Sequence, residues 1–162
     1  VIRRVTPDDV EPVVGMVHDL AEYEKAADQC HLTVEQLHAA LFDEHPALFG
    51  HVAQAEDGTV VGLALWFLNY STWDGAHGVY LEDLYVRPEH RGGGHGRALL
   101  AALAGVCSER GYTRLQWWVL NWNTPSIGFY RALGAEPMDD WTTMRLSGAA
   151  LGRLARGAVP EG

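Results

Sequence analysis

Two acids, Glu82 and Asp83, stand side by side in an apolar run, and a few residues later the chain reads Arg91-Gly92-Gly93-Gly94-His95-Gly96-Arg97. Desolvating a carboxylate inside a strand otherwise made of Leu, Tyr and Val is costly unless a partner compensates it. The pair therefore points to a site, with a solvent-facing sheet edge as the competing reading. A strand that passes its chain through glycines into a helix aims several unpaired backbone N–H groups at one point, where an anion is held. Neighbouring strand residues face opposite sides unless a bulge intervenes, so the sequence leaves open whether both acids serve one site.

Positioning these groups takes a strand over 79–86, a short loop holding Pro88, and a helix whose buried face is Leu99, Leu100, Leu103, Val106 and Cys107, closed by Gly111. Upstream, Val1-Ile2-Arg3-Arg4-Val5 reads as a strand and Thr6-Pro7-Asp8-Asp9 as a helix start, with Thr6 as cap. The period of Val10, Val13, Val14, Val17, Leu20 and Ala21 predicts a helix ending near Lys25. Thr33 and Gln36 form the capping box of a shorter helix that turns Val34, Leu37 and Leu41 inward. Residues 48–55 and 60–69 read as strands joined at Asp57-Gly58, and residues 70–78 as a loop. Residues 114–120 are strand-like. Asn123 or Thr124 then caps a helix bearing Phe129, Tyr130 and Leu133, ended by Gly134. Residues 135–138 and 142–146 read as two last strands, 149–156 as a helix, and 157–162 as disordered. This order predicts one mixed α/β domain over 1–147, antiparallel at its start with a crossover in the middle, and a tail over 148–162.

No internal repeat or compositional break divides the 162 residues, and apolar and charged fractions of 48% and 20% are ordinary for a soluble globular chain. No apolar run approaches the roughly 20 residues of a membrane helix, so no membrane partner is expected. The first residues read directly as a strand without a signal peptide, and cytoplasm is the expected compartment. A net charge of −9 argues against nucleic acid and fits a cationic partner. Cys30 and Cys107 lack metal-ligand spacing, Cys107 reads as a buried free thiol, and the eight histidines are scattered, so no metal is predicted.

The glycine turn lacks the Gly-Lys-Ser/Thr ending of a P-loop. A dinucleotide fingerprint would need a small residue where Arg97 stands and the first unit of a parallel sheet. What remains is Arg-x-x-Gly-x-Gly, a pyrophosphate cradle in which Gly94 and Gly96 let the backbone approach, beside the plain turn that so short a pattern also allows. Four ordered stretches then carry a resemblance: Leu20-Ala21-Glu22-Tyr23-Glu24, Tyr80-Leu81-Glu82-Asp83-Leu84-Tyr85-Val86, Arg91-Gly92-x-Gly94-x-Gly96, and Trp122-Asn123-x-Pro125-Ser126-x-x-Phe129-Tyr130 followed by Gly134-Ala135. Together they resemble the GNAT superfamily of N-acetyltransferases, closest to its diamine (spermidine/spermine) and thialysine branch. The resemblance implies an α/β (α+β) fold with a mixed, mostly antiparallel central sheet of about seven strands flanked by helices on both faces.

It also implies acetyl-CoA (coenzyme A) as cofactor. The pyrophosphate would lie on Arg91 and the amides of Gly92, Gly93, Gly94, His95, Gly96 and Arg97. The pantetheine arm would run beside Leu84, Tyr85 and Val86, where the family carries a bulge whose freed amide near Leu84 meets the thioester oxygen. Asn123 and Ser126 would contact the cofactor from the other side. Tyr130 matches the family's general acid: a phenol of pKa about 10 keeps its proton at neutral pH better than a thiol of about 8.5. An alkyl ammonium of pKa about 10.4 must lose a proton before it attacks, and Glu82 is the expected base, through a water, with Asp83 as anchor. Tyr23 and Glu24 match the family's substrate-recognising helix end, and with Glu82 and Asp83 they would line an acidic, aromatic channel for a small cationic amine. His95 replaces a usually apolar residue and is expected to face solvent, while one of Trp117 and Trp118 goes to the core and the other to a groove or dimer interface.

By the same resemblance the protein is a homodimer that transfers directly within a ternary complex. Competing readings are an acetyltransferase for a xenobiotic or antibiotic amine or a protein lysine, and a catalytically silent acyl-CoA-binding regulatory domain. Intact Tyr130, Glu82 and Asp83 count against the last.

Overall fold

The first strand and first helix are tied together by a buried acid. Asp9 accepts the Thr6 N–H at 2.7 Å and the Thr6 hydroxyl at 3.1 Å, and its two oxygens take the Arg3 guanidinium at 2.7 and 2.9 Å. Burial alone would raise this carboxyl, but the hydrogen bonds from Arg3 and Thr6 outweigh it and hold Asp9 below its ordinary value. The structure, a computed structural model, describes residues 1–157. Here β1 (Ile2–Arg4) leads through the single turn Pro7–Asp9 into α1 (Val10–Tyr23), which buries Val10, Val13, Val14 and Met16. α1 stops where Lys25 adopts a left-handed φ of 61°. α2 (Val34–Phe42) carries the expected capping box, with Gln36 N–H donating to Thr33 Oγ1 at 3.1 Å and Thr33 N–H donating to Gln36 Oε1 at 3.0 Å. Its buried stripe starts one turn later than expected: Leu37 and Leu41 are buried, whereas Val34 is exposed.

A single five-stranded sheet runs in the order β1, β2 (Phe49–Gln54), β3 (Val60–Ser71), β4 (Ala76–Val86), β5 (Leu115–Gln116). The first three pairings are antiparallel, and β4–β5 is parallel, joined by a crossover through α3 (His95–Arg110). α1 and α2 cover the face that carries Val52, Leu63, Leu65 and Tyr85. α3 packs on the opposite face, with Leu99 and Leu103 fully buried and the free thiol of Cys107 donating to the Arg114 carbonyl at 3.5 Å. At the β2–β3 turn Gly58 takes the φ of 86° that the Asp-Gly pair foretells.

Three expectations need correction. β3 and β4 extend through the pairs Tyr70↔His77 and Ser71↔Ala76, so the expected loop over 70–78 is a short tip. Asp74 holds that tip to the start of β5, accepting from Thr113 at 2.8 Å and Arg114 at 3.2 Å. β5 is only Leu115 and Gln116, and 117–120 leave the ladder. Among the described residues, 135–138 and 142–146 form no strand, which leaves five strands where about seven were expected. Pro137 lacks the N–H a ladder needs, and Asp139 and Asp140 are poor strand formers.

The chain divides into two compact units, Val1–Leu120 and a second from Asn121 onward, the latter holding α4 (Thr124–Ala132) and α5 (Gly148–Arg156). The expected tail helix is present as α5. The disorder expected of 157–162 lies, beyond Gly157, outside the described residues. No helix among the described residues is long and apolar enough to cross a membrane.

On the α3 side of the sheet, Trp66 Nε1 donates to the Nδ1 of the buried His51 at 3.0 Å, and the Arg4 guanidinium lies over the Trp66 ring at 5.6 Å. Burial, then the Arg4 charge, push His51 down to about 4 from its ordinary 6.5. The unfolded chain binds this proton and the fold does not, so stability falls by up to about 3 kcal/mol as pH drops from 6.5 to 4. His51→Gln keeps an acceptor for Trp66, and urea unfolding at pH 7.5 and pH 5 is expected to show that the variant lacks this loss. Equal losses in the two proteins would contradict it.

Candidate active site

The site begins with one residue too many. β3 and β4 keep register from Ser71↔Ala76 to Trp66↔Leu81 and again from Leu65↔Asp83 to Gly62↔Val86, which leaves Glu82 over. That is a β-bulge, and it changes the phase of the strand. Tyr80 pairs with Phe67 and Asp83 with Leu65, two positions apart on β3, so Tyr80 and Asp83 share a face although they stand three positions apart in sequence. This is the face covered by α1 and α2, because Leu65 belongs to their core.

Glu24, the residue that ends α1, comes close enough to Asp83 to interact with it. Asp83 is largely buried, and burial, then the charges of Glu82 and Glu24, push it up to about 7 from 3.8. Burial also raises Glu24. Tyr80 is pushed up to about 12 by burial and then by Glu82, so its phenol stays protonated. The charges of Glu82 and Glu24 thus both act on Asp83, a repulsion that a cation placed among them would relieve.

β5 pairs with β4 only at Val79 and Tyr80, so from Leu81 to the end of β4 that edge has no strand neighbour among the described residues. Leu84, Tyr85 and Val86 lie along it. The bulge expected near Leu84 sits two residues earlier, at Glu82. At the point of separation the Tyr80 ring lies 4.9 Å from Phe67 and 6.0 Å from Trp118, which it meets at 87°. Trp117 is half-buried and Trp118 is 61% exposed.

Downstream, Gly92 and Gly94 both take a φ of 84°, which favours glycine, and a Cβ on either would meet nothing within 4 Å. Gly94 is the N-cap of α3, and the first helical bond is from Ala98 N–H to the Gly94 carbonyl. No side chain caps this helix, and no acid stands in its first turn. The open glycine turn and the leading amides of a sixteen-residue helix fit a diphosphate group. His95 does not simply face solvent: it is half-buried and folds back over Gly93, where a Cβ would meet its ring at 3.8 Å. Arg97 is exposed beside it, and Gly96 is half-buried.

Tyr23 and Glu24, read together in the sequence, are put to different uses. The Arg91 guanidinium lies over the Tyr23 ring at 5.6 Å and the Tyr85 ring at 5.5 Å, with its Nε donating to the Val86 carbonyl at 2.9 Å. These side chains border a groove of about 400 Å³ that also includes Asp19, Glu22 and Arg87. Tyr23 therefore belongs with the glycine-turn arginine and Glu24 with the acids. In the second unit, Asn123 is the N-cap of α4, accepting the Ser126 N–H at 3.4 Å, and Tyr130 lies four residues beyond Ser126 on the same helix face. Tyr80 was not singled out as a site residue by sequence, and Trp118 only as one of two tryptophans of which one was expected at a groove or dimer interface. Tyr80 stood in a quoted motif, but the bulge that phases it with Asp83 leaves no mark in residue types.

The raised Asp83 has a consequence for stability. A carboxyl that titrates near 7 in the fold and near 3.8 when free costs nothing below 3.8 and destabilises the fold increasingly as pH rises to 7. Asp83→Asn is thus expected to gain thermal stability on the native chain between pH 5 and pH 8. An unchanged difference in melting temperature at the two pH values would contradict this.

Comparison with known proteins gives these features a context. The profile of the Acetyltransferase (GNAT) family matches residues 14–135. A thialysine N-epsilon-acetyltransferase of Bos taurus is 37% identical over 95% of this chain and 96% of its own length. One of Caenorhabditis elegans is 36% identical over the same shares. An integron cassette protein from the mobile metagenome of V. cholerae, 26% identical, superposes with a TM-score of 0.79 over 96% of this chain and 97% of its own. With a family match that spans most of its length and relatives above one-third identity end to end, this chain belongs to the GNAT family and is an acetyltransferase.

Proposed function

We propose that the protein transfers an acetyl group from acetyl-CoA to a primary amine of a small cationic substrate, of diamine, polyamine or thialysine type, by direct attack in a ternary complex. The observation that carries this reading is the convergence of Glu24, Glu82 and Asp83 beside an open strand edge that runs on to the glycine turn. Relatives named for thialysine support an amine that is part of an amino acid as the first substrate to try. Bound acetyl-CoA supplies the acetyl group in thioester-activated form. Arg91 and the amides of 92–97 would hold its diphosphate, the backbone at Leu84, Tyr85 and Val86 its pantetheine arm, and Asn123 and Ser126 would add contacts.

The chain's own residues handle the protons. An ammonium drawn in by the acids is fully charged at neutral pH and must give up a proton. Glu82, the exposed member at the bulge, accepts it through a water, while Asp83 holds the ammonium. Asp83, pushed up to about 7 by burial and by the charges of Glu82 and Glu24, can take up a proton in the working range beside it. Tyr130 keeps a proton on its phenol oxygen for the leaving group. We also propose that residues 1–147 act as one catalytic domain, which the run of the family match across the boundary at Leu120 supports, and that the protein is a homodimer, as the family resemblance implies.

Coenzyme A release over a panel of thialysine, lysine, diamines, polyamines and lysine peptides tests the reading. Turnover is expected with the small amines. Tight acetyl-CoA binding without turnover on any amine would instead mark a silent acyl-CoA-binding domain. Tyr130→Phe is expected to lose about a hundredfold or more in turnover at little-changed acetyl-CoA affinity, and full turnover would remove Tyr130 as the acid. Glu82→Gln deletes the like charge beside Asp83, so turnover should drop and the acid limb of the pH–rate profile should move to lower pH. An unmoved profile would place the base elsewhere.

A further inference from the structure

We propose that Tyr80 and Trp118 form an aromatic corner that holds the ammonium and adjoining methylenes of the amine against Glu82, and that Trp118 limits how bulky the substrate can be next to its reacting nitrogen. The inference rests on the amine-acetylating reading above and names the residues that select the substrate. A cation in a site lined by carboxylates is held better when aromatic faces cover its alkyl part, since the ring quadrupole attracts the charge and the ring surface desolvates the methylenes. Tyr23 is the aromatic that the sequence suggests for this task. Its ring already faces the Arg91 guanidinium at 5.6 Å, and a second cation there would be repelled.

Tyr80 and Trp118 meet the requirement. The bulge at Glu82 puts Tyr80 on the face of Asp83, and Tyr80 senses the Glu82 charge directly. Its phenol, raised to about 12, remains a neutral ring and does not add a fourth anion. Trp118 meets Tyr80 at 87°, so the two rings make a corner instead of a closed stack. That corner stands where β5 has just left β4, beside the first unpaired stretch of strand edge. Phe67 backs Tyr80 from across the ladder at 4.9 Å and fixes the position of its ring. An indole 61% exposed at this place is a surface that a ligand can cover.

Isothermal titration of the full chain with thialysine and with 1,5-diaminopentane, with and without coenzyme A, tests the corner. Trp118→Ala is expected to weaken amine binding about five- to tenfold and Trp118→Phe to recover most of it, with coenzyme A affinity and urea midpoint unchanged. In turnover, the alanine variant should raise KM more than it lowers kcat and should narrow the discrimination against amines methylated beside the nitrogen. Equal amine affinity in the native chain and the alanine variant overturns the corner while leaving the amine reading intact. No binding of either amine to the native chain overturns both.

Discussion

One extra residue in β4 governs how the site is assembled. Without Glu82 in excess, period-two alternation would send Tyr80 and Asp83 to opposite faces of the sheet, and Asp83 would turn away from α1. With it, Asp83 comes under the end of α1, where Glu24 waits, and Tyr80 comes alongside. The bulge is held on both sides by a long, well-registered ladder with β3, six pairs before it and four after. The rest of the fold supports that ladder: the α1–α2 core packs on Leu63, Leu65 and Tyr85, and the Arg3–Asp9 pair fixes where α1 starts. An error of one residue anywhere in this chain of positions would dissolve the acid cluster.

The cluster is held against its own electrostatics. Burial and the charges of Glu82 and Glu24 raise Asp83, and burial raises Glu24, so keeping these acids together is a cost the fold bears. The cost falls on the side where β4 and β5 separate. A few residues on, the same strand ends in a glycine turn of opposite character, with leading helix amides, no competing acid and two glycines whose φ keeps the backbone bare. One continuous segment thus carries acids that a cation would relieve and then a glycine turn whose amides suit an anion, the order on which the proposed reaction of an amine with acetyl-CoA rests.

Much of this was legible in residue types. The Thr33–Gln36 box, the Asp57-Gly58 turn, the strand–glycine–helix segment and the buried face of α3 follow from local chemistry, and four spaced motifs identify the family. What could not be read depends on pairing across distance. The bulge leaves no compositional trace, so the place of Tyr80 on the face of Asp83 was missed and the freed position was expected nearer Leu84. Tyr23 and Glu24, adjacent in sequence, part company because a helix end turns consecutive side chains in different directions. The last two strands were over-read from alternation alone, where Pro137 and two aspartates work against a ladder. The length of β5 was over-read as well, since apolar character in 117–120 does not require a strand neighbour.

The central claim is that Asp83 is driven upward by its burial on the α1 face together with the charges of Glu82 and Glu24. Carbon NMR titration of the Asp83 carboxyl measures this directly. The account predicts a midpoint near 7 in the native chain, moving toward 3.8 when Glu82 is replaced by glutamine. A native midpoint close to 3.8 would mean that the bulge does not bring the acids together, and would contradict the account.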